Sequence, residues 1–503
     1  MSHKISKLKV LLVYPNLQMV NLLPSNIAIL SAVLKQAGHD VQLFDTTFYR
    51  LQDKSVDDIR VENMQLRPFC LQEKGVDYKD TDVLEDFKKT IAEYRPHVVG
   101  VSTVDDTFDL GMSLLQTIDD PGIHRIVGGI YPTFSPLDVL TKPYVDSVCV
   151  GEGEEALVEL CDCLASGKDF TQIHNIWTKR GDKIFKNELR SPLDLNKLPF
   201  EDFSIFEEKR IFRPMQGKIH RMVPVMIDRG CPYSCSFCAA PLLRKLYKDA
   251  EGGRYFRVKT VERIMAGLEH FIQRYGADYI YFNSETFFAR SDEDLQEFAR
   301  QYMSRIGLPF WCQTRIETIT EHRMQILKDM NCDRISIGLE HGNEEFREKI
   351  LKKKFTNDQV IRAFRIMEKT GIPVTVNNII GFPDETRELV FDTIRLNRQI
   401  KADSINAYFF VPYSGTPLRE YCIEKGYVPA DVKTDSIMRR SVLNMPQFPA
   451  AEIEGLVRTF PLYVKMPESY YPKIKIAEKL DEEGYKAHAE LREIFYREYF
   501  TTR

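Results

Sequence analysis

The chain has 503 residues, too many for one ordinary domain, so two or three are expected, each with a full-sized core. With 43% hydrophobic and 28% charged residues, no low-complexity run and no short repeat, it is globular rather than disordered or solenoid. A net charge of −4 gives no electrostatic reason to expect nucleic acid, and no apolar stretch is long enough to cross a membrane.

In chain order, "MSHKISKLKVLLVYP" has basic residues but only a short apolar run and no small-residue cleavage site. It reads as a first β-strand (Lys9–Pro15) rather than a signal peptide, so a cytoplasmic protein is expected. "SNIAILSAVLKQAGH" follows as a helix, with Ser25 as its N-cap and Gly38 as its stop. Further strands are "DVQLFD", "HVVGVST", "HRIVGG" and "SVCVGEGE", which together predict a parallel, doubly wound sheet. Residues 53–82 are polar and irregular and suggest no element. In such sheets ligands bind outside the carboxyl ends of the strands, where Ser102, Thr103, Gly128, Gly129, Gly151, Glu152 and Gly153 fall. The glycines either admit a bulky ligand or make tight turns.

Residues 166–215 read as a linker, with a hairpin around Arg180-Gly181-Asp182 and a proline-rich stretch after it. From Val223 onward six βα units follow, with strands "VPVMID", "ADYIYFN", "PFWCQTR", "RISIGLE", "VTVNNIIG" and "SINAYFF". They predict a partial (β/α)6 barrel with its chemistry at the carboxyl ends of the strands. A small helical extension occupies 428–503. The expected fold is therefore α/β: a Rossmann-like sheet (1–165), the linker, the barrel (216–427) and the extension.

The loop after the first barrel strand reads "DRGCPYSCSFCAA" and carries Cys231, Cys235 and Cys238. Three thiolates leave one iron of an iron–sulfur cube open, the mark of a catalytic rather than a structural centre. The alternative is a zinc site completed by a distant residue. The other seven cysteines are scattered and read as buried small hydrophobes in a reducing compartment.

"CPYSCSFC" resembles the CxxxCxxC motif of the radical S-adenosylmethionine (SAM) enzymes, including aromatic Phe237 before the last cysteine. The resemblance implies a 4Fe-4S cluster whose open iron is chelated by SAM, and cleavage of SAM to a 5′-deoxyadenosyl radical. "YFNSETFF" stands where the nearest branch has Phe-x-Asp-Asp-x-Phe, so Ser284 and Glu285 are expected near the methionyl amino group. By the same resemblance Arg315 in "WCQTRIE" faces the SAM carboxylate, Glu340 in "GLEHG" the ribose, and Gly381 in "NNIIGFPDET" the adenine. The plainer reading of Arg315 and Glu340 is a buried ion pair in the barrel. Tyr281, Trp311 and Tyr408 either line a pocket or are ordinary barrel packing.

A doubly wound domain ahead of such a barrel resembles the cobalamin-binding radical SAM proteins. "GGIYPTFSP" and "DSVCVGEGEEAL" are similar to that group's glycine loops, adding Ile130 and Tyr131 to the expected cobalamin contacts. "YPNLQMVNLLPSN" has no histidine, so the resemblance implies cobalamin bound without histidine ligation, or an empty domain. The activity implied is a cobalamin-dependent methyltransferase acting on an unactivated carbon, or on phosphorus, of a small biosynthetic intermediate. A flavodoxin or ferredoxin type protein would be its external electron donor. The alternatives are a dehydratase, cyclase or oxidase on the same scaffold. A cobalamin sensor would have no use for the cysteine triad, and no second triad or basic appended domain points to RNA.

Overall fold

A computed structural model describes residues 7–250, 253–434 and 436–500. The chain divides into two compact units. The first runs to Ser55 and takes in Leu71–Arg213 and Leu242–Arg257; the second takes in Val56–Cys70, Pro214–Pro241 and the chain from Val258.

The first unit is built on a seven-stranded sheet. Its order is Asp40–Asp45, Lys9–Tyr14, Val98–Ser102, His124–Gly128, Ser147–Cys149, Ile176–Arg180, Lys183–Phe185. The first five strands are parallel and the last two antiparallel. Val10, Leu11, Leu12 and Val13 are all at most 1% exposed, as a strand covered on both faces requires. The order reverses between Lys9–Tyr14 and Val98–Ser102, which makes their carboxyl ends the switch-point crevice. The hairpin expected around Arg180-Gly181-Asp182 is Ile176–Phe185, and its first strand pairs with the edge strand Ser147–Cys149, so this part of the linker joins the sheet. An open parallel edge is a liability, and the hairpin covers it. Ser25 is the first helical residue and not the cap; Pro24, extended at φ −79°, precedes it and offers no side-chain hydrogen bond.

The second unit carries six parallel strands in sequential order: Lys218–Met226, Tyr279–Asn283, Phe310–Thr314, Cys332–Glu340, Val374–Ile380 and Ser404–Phe409. Short strand Phe212–Met215 flanks the first. The intervening helices begin where side-chain caps predict: Thr260, Ser291, Thr320, Thr356 and Thr386 each accept an N–H of the first turn. The strands alternate. Phe310, Cys312, Ile335, Ile337 and Val376 are buried against the helices, while Trp311, Gln313, Arg334, Asn377 and Tyr408 on the other face are only half-buried. A barrel filled by its own core shows branched aliphatics on that inner face, whereas here the face is polar and aromatic.

The C-terminal helices Ala450–Lys465, Tyr471–Ala477 and Glu482–Glu498 belong to the second unit instead of forming a third. Arg387 bridges to Glu452 (2.9 Å) and Glu478 (2.7 Å). The stretch without a predicted element supplies helix Val56–Glu62, and its neighbour Gln65 donates to the Ala407 carbonyl at 3.1 Å, beside the sixth strand. Among the described residues no helix is long and apolar enough to cross a membrane.

Candidate functional site

The cysteine loop leaves the first barrel strand through Gly230, whose φ of +90° turns the chain. Ser236 anchors it, donating its hydroxyl to the Ile350 carbonyl (2.5 Å) and its N–H to that of Leu351 (3.3 Å). All three cysteines are half-buried, and each sulfur has a hydrogen-bonding neighbour. Arg315 Nη1 donates to Cys235 Sγ at 3.1 Å and the Ala240 N–H to Cys238 Sγ at 3.5 Å; Thr286 Oγ1 lies 3.8 Å from Cys231 Sγ. Burial pushes the Cys238 thiol up to about 12 and raises that of Cys231. Loading a metal must therefore drive off their protons. Among the described residues no three His, Cys, Asp or Glu side chains close around a single ion. The compact tetrahedron of a zinc site is thus not formed among the described residues, whereas a cube, with its irons at separate corners, asks for thiolates that stand apart. The donor set fits a three-cysteine iron–sulfur cluster.

Ser284 and Glu285 follow the second strand, with Ser284 buried and donating to Asp228 Oδ2 at 2.5 Å. Asp228 was not singled out from sequence, although an acid three residues before Cys231 at a strand end was a usable signal. Burial pushes its carboxyl up to about 7, against the Ser284 hydrogen bond; nearby Glu285 adds to the rise. Glu285 is reachable by solvent yet walled by protein, as a side chain in a cavity is, and the poor solvation raises its carboxyl too.

Arg315 and Glu340 are both ion-paired, but not to each other. Arg315 forks onto Glu317 and stacks 3.9 Å over the Tyr233 ring. Glu340, at φ +67°, pairs with Lys353 at 2.9 Å, and Lys353 also donates to the Gly338 carbonyl at 2.7 Å. Gly381 has φ +88°, and a Cβ there would sit 3.0 Å from an Ile453 methyl of the C-terminal helix. Its N–H and that of Phe382 both donate to Glu385 Oε2, at 2.5 and 3.1 Å. Glu385 Oε1 lies 2.9 Å from His341 Nε2. Because His341 Nδ1 accepts from the Asn343 N–H, its proton sits on Nε2, facing Glu385. This buried pair ties the ends of strands four and five, and sequence reading missed it. Phe237 packs 5.8 Å from Phe382. Tyr281 and Trp311 stack at 4.3 Å, Trp311 Nε1 donates to Ser336 Oγ, and the Tyr408 hydroxyl accepts from Asn406.

In the first unit, Asn26 donates to Ser102 Oγ at 2.9 Å across the switch point, and the Thr103 N–H reaches the Gly128 carbonyl. Gly129 has φ +113°, and a Cβ there would lie 2.2 Å from the Thr103 oxygen. Thr133, also overlooked in the sequence, joins the two glycine loops: its hydroxyl donates to the Gly129 carbonyl (2.7 Å) and accepts the Gly151 N–H (3.0 Å). The Tyr131 ring packs at a tilt against Phe108, centroids 4.3 Å apart, and its hydroxyl donates to Asp138. Glu152 is held differently from the expected cofactor contact. Its carboxylate is bound by Arg257 and the Leu193 N–H, and is 8% exposed. Gly153 caps the helix Glu154–Ser166. Gly128, Gly129, Ile130 and Tyr131 remain half-accessible, while Val104 and Leu137 are 45% and 43% exposed. Bare backbone and exposed apolar side chains at the strand ends fit a broad, flat ligand such as a corrin. The loop after the first strand is tied by its own amides, with Asn16 donating to Val20 and Thr47 and Gln18 accepting two backbone N–H groups; it offers no imidazole.

Residues 225–396 match the sequence profile of the Radical SAM superfamily, and residues 70–161 that of the B12 binding domain; together they span just over half of the chain. An uncharacterised methyltransferase of Pyrococcus horikoshii is 27% identical over 412 residues, covering 80% of this chain and 84% of that one. An anaerobic magnesium-protoporphyrin IX monomethyl ester cyclase of Rubrivivax gelatinosus is 24% identical, covering 73% and 68%. Among solved structures, the radical SAM methyltransferase TsrM of Kitasatospora setae, with cobalamin and a [4Fe-4S] cluster bound, aligns with a TM-score of 0.59 at 18% identity, over 83% of this chain and 75% of that one. The cobalamin-dependent radical enzyme OxsB, with aqua-cobalamin and SAM bound, aligns with a TM-score of 0.65 at 16% identity, over 97% and 72%. These two show a shared fold. With both profiles matched in this order, the chain belongs to the radical SAM superfamily, in the group whose barrel follows a B12-binding domain.

Proposed function

We propose that this protein is a cobalamin-dependent radical SAM methyltransferase that places a methyl group on an unactivated carbon, or on phosphorus, of a small biosynthetic intermediate. The observation that carries the reading is the trio of thiols on one loop, each with a hydrogen-bonding neighbour, at the carboxyl end of the first strand of a barrel with a polar inner wall. When bound, the cluster would supply one-electron cleavage of SAM, and the cobalamin would carry the methyl group. Cys231, Cys235 and Cys238 hold the cluster. Ser284, Asp228 and Glu285 form an acidic lining suited to the SAM amino group. Gln313 and Asn377, further along their strands, provide hydrogen-bonding groups for a polar substrate. The electron comes from an external donor of the flavodoxin or ferredoxin class. The first unit would hold cobalamin at Ser102, Thr103, Gly128, Gly129, Ile130, Tyr131, Gly151 and Gly153, and the loop after its first strand offers no histidine to the metal.

A second reading, a radical cyclase, dehydratase or oxidase on this scaffold, draws support from the cyclase relative. Products separate the two. Anaerobically reconstituted protein with a reductant, SAM and hydroxocobalamin should hold about four irons and one cobalt per chain. Screened against small candidate substrates, it should release S-adenosylhomocysteine together with 5′-deoxyadenosine. Formation of 5′-deoxyadenosine alone on a consumed substrate would select the second reading.

A further inference from the structure

We propose that Arg315 is a positioning residue that raises the reduction potential of the cluster held by the cysteine loop. The inference rests on the reading that Cys231, Cys235 and Cys238 bind a 4Fe-4S cluster.

Sequence resemblance assigned Arg315 to the SAM carboxylate, but its guanidinium is committed elsewhere. Nη1 donates to Cys235 Sγ at 3.1 Å, and Nε and Nη2 fork onto Glu317 Oε1 at 3.1 and 2.5 Å. The cation also lies 3.9 Å over the ring of Tyr233, a residue of the cysteine loop itself, and its side chain is 9% exposed. Stacked on one side and clamped on another, it has one geometry available. Arginine suits this post because its planar fork serves two partners at once.

The physical consequence follows from charge. Reduction by the external donor adds one electron, and so one negative charge, to the cluster, with no bond made or broken in the protein. An N–H···S bond and a positive charge at a ligand sulfur stabilise the more negative state and raise the potential. Glu317 opposes this, but it stands behind the guanidinium and does not touch the sulfur, so the cation prevails. Arg315 thereby eases delivery of an electron to the centre held by this half-buried loop.

The test is a redox titration of reconstituted full-length protein without SAM, followed by low-temperature EPR of the reduced cluster, with iron counted first. Arg315→Gln should retain its iron, and at a given poise its reduced-to-oxidised ratio should fall about tenfold, a midpoint about 59 mV more negative. Glu317→Gln, which leaves Arg315 and the cysteines in place, should move the midpoint the other way. Arg315→Lys should fall between wild type and Arg315→Gln. An Arg315→Gln midpoint equal to wild type overturns the proposal; SAM affinity lost with an unmoved midpoint, read by equilibrium dialysis, would return Arg315 to the SAM carboxylate. If Arg315→Gln holds no iron, Glu317→Gln decides alone, and an unmoved midpoint there is equally fatal. Wild-type protein that takes up no iron would remove the cluster reading itself, a failure visible before any titration.

Discussion

At position 129 a carbonyl oxygen decides which side chain is tolerated. Gly129→Ala puts a Cβ 2.2 Å from the Thr103 oxygen in a left-handed conformation, so the backbone must shift. We expect a loss of about 2–3 kcal/mol in the first unit, read from its urea unfolding midpoint, with cobalamin uptake falling alongside. Thr133→Val removes the hydroxyl that joins the two glycine loops and should cost about 1–3 kcal/mol in the same measurement. The glycine signal was plain in the sequence, whereas Thr133 was not. A threonine in a loop has many reasons to be there, and only folding brings Gly129 and Gly151 to the same hydroxyl.

Between elements, the Glu152–Arg257 pair joins the loop after the fifth strand to a segment some hundred residues later in the chain. Removing one member of a mostly buried pair strands the other. Glu152→Ala should therefore destabilise the first unit by about 3 kcal/mol, while folded protein keeps its cobalamin affinity in a spectroscopic titration. Lost affinity at unchanged stability would instead restore Glu152 as a cofactor contact. Helix starts are cheaper to alter. Thr356 and Gln359 form a reciprocal capping box, and Thr356→Ala should lower stability by about 1 kcal/mol without touching iron content. Such caps were legible because the signal is local, a side chain and an amide three residues apart. The capping role expected of Ser25 failed because the helix begins at Ser25 itself, which leaves Pro24 in the cap position.

Across the whole molecule, the two units should answer acid differently. His124, packed against Phe170 in the first unit, is pushed down to about 4 by burial. The unfolded chain then binds a proton that the folded one refuses, and stability falls as pH drops from 6.5 toward 4. At about 1.4 kcal/mol per unit this is about 3 kcal/mol. In the second unit His488, also pushed down to about 4, acts the same way, but Asp228 opposes it. Folded Asp228 titrates near 7 and unfolded Asp near 3.8, so the folded state keeps a proton the unfolded state loses, and stability rises as pH falls through that window. Glu285, also raised, adds to this. Between pH 7 and 4.5 the first unit should weaken while the second holds. Limited proteolysis across that range should cut the first unit first, and Asp228→Asn should remove the second unit's advantage.

The sequence by itself determined the two α/β layouts, the six barrel strands and the three cysteines, because hydrophobic period, caps and ligand spacing are written within a few residues of chain. Tertiary structure alone decided what the polar groups face. It gave Arg315 to Cys235 and Glu317, Glu340 to Lys353, Glu152 to Arg257, and His341 to Glu385. It also showed Trp311, Gln313 and Asn377 on a half-open inner wall, and drew residues 56–70 into the second unit. A charged side chain takes whichever opposite charge or hydrogen-bonding group folding brings within about 3 Å, and that choice depends on strands far apart in sequence.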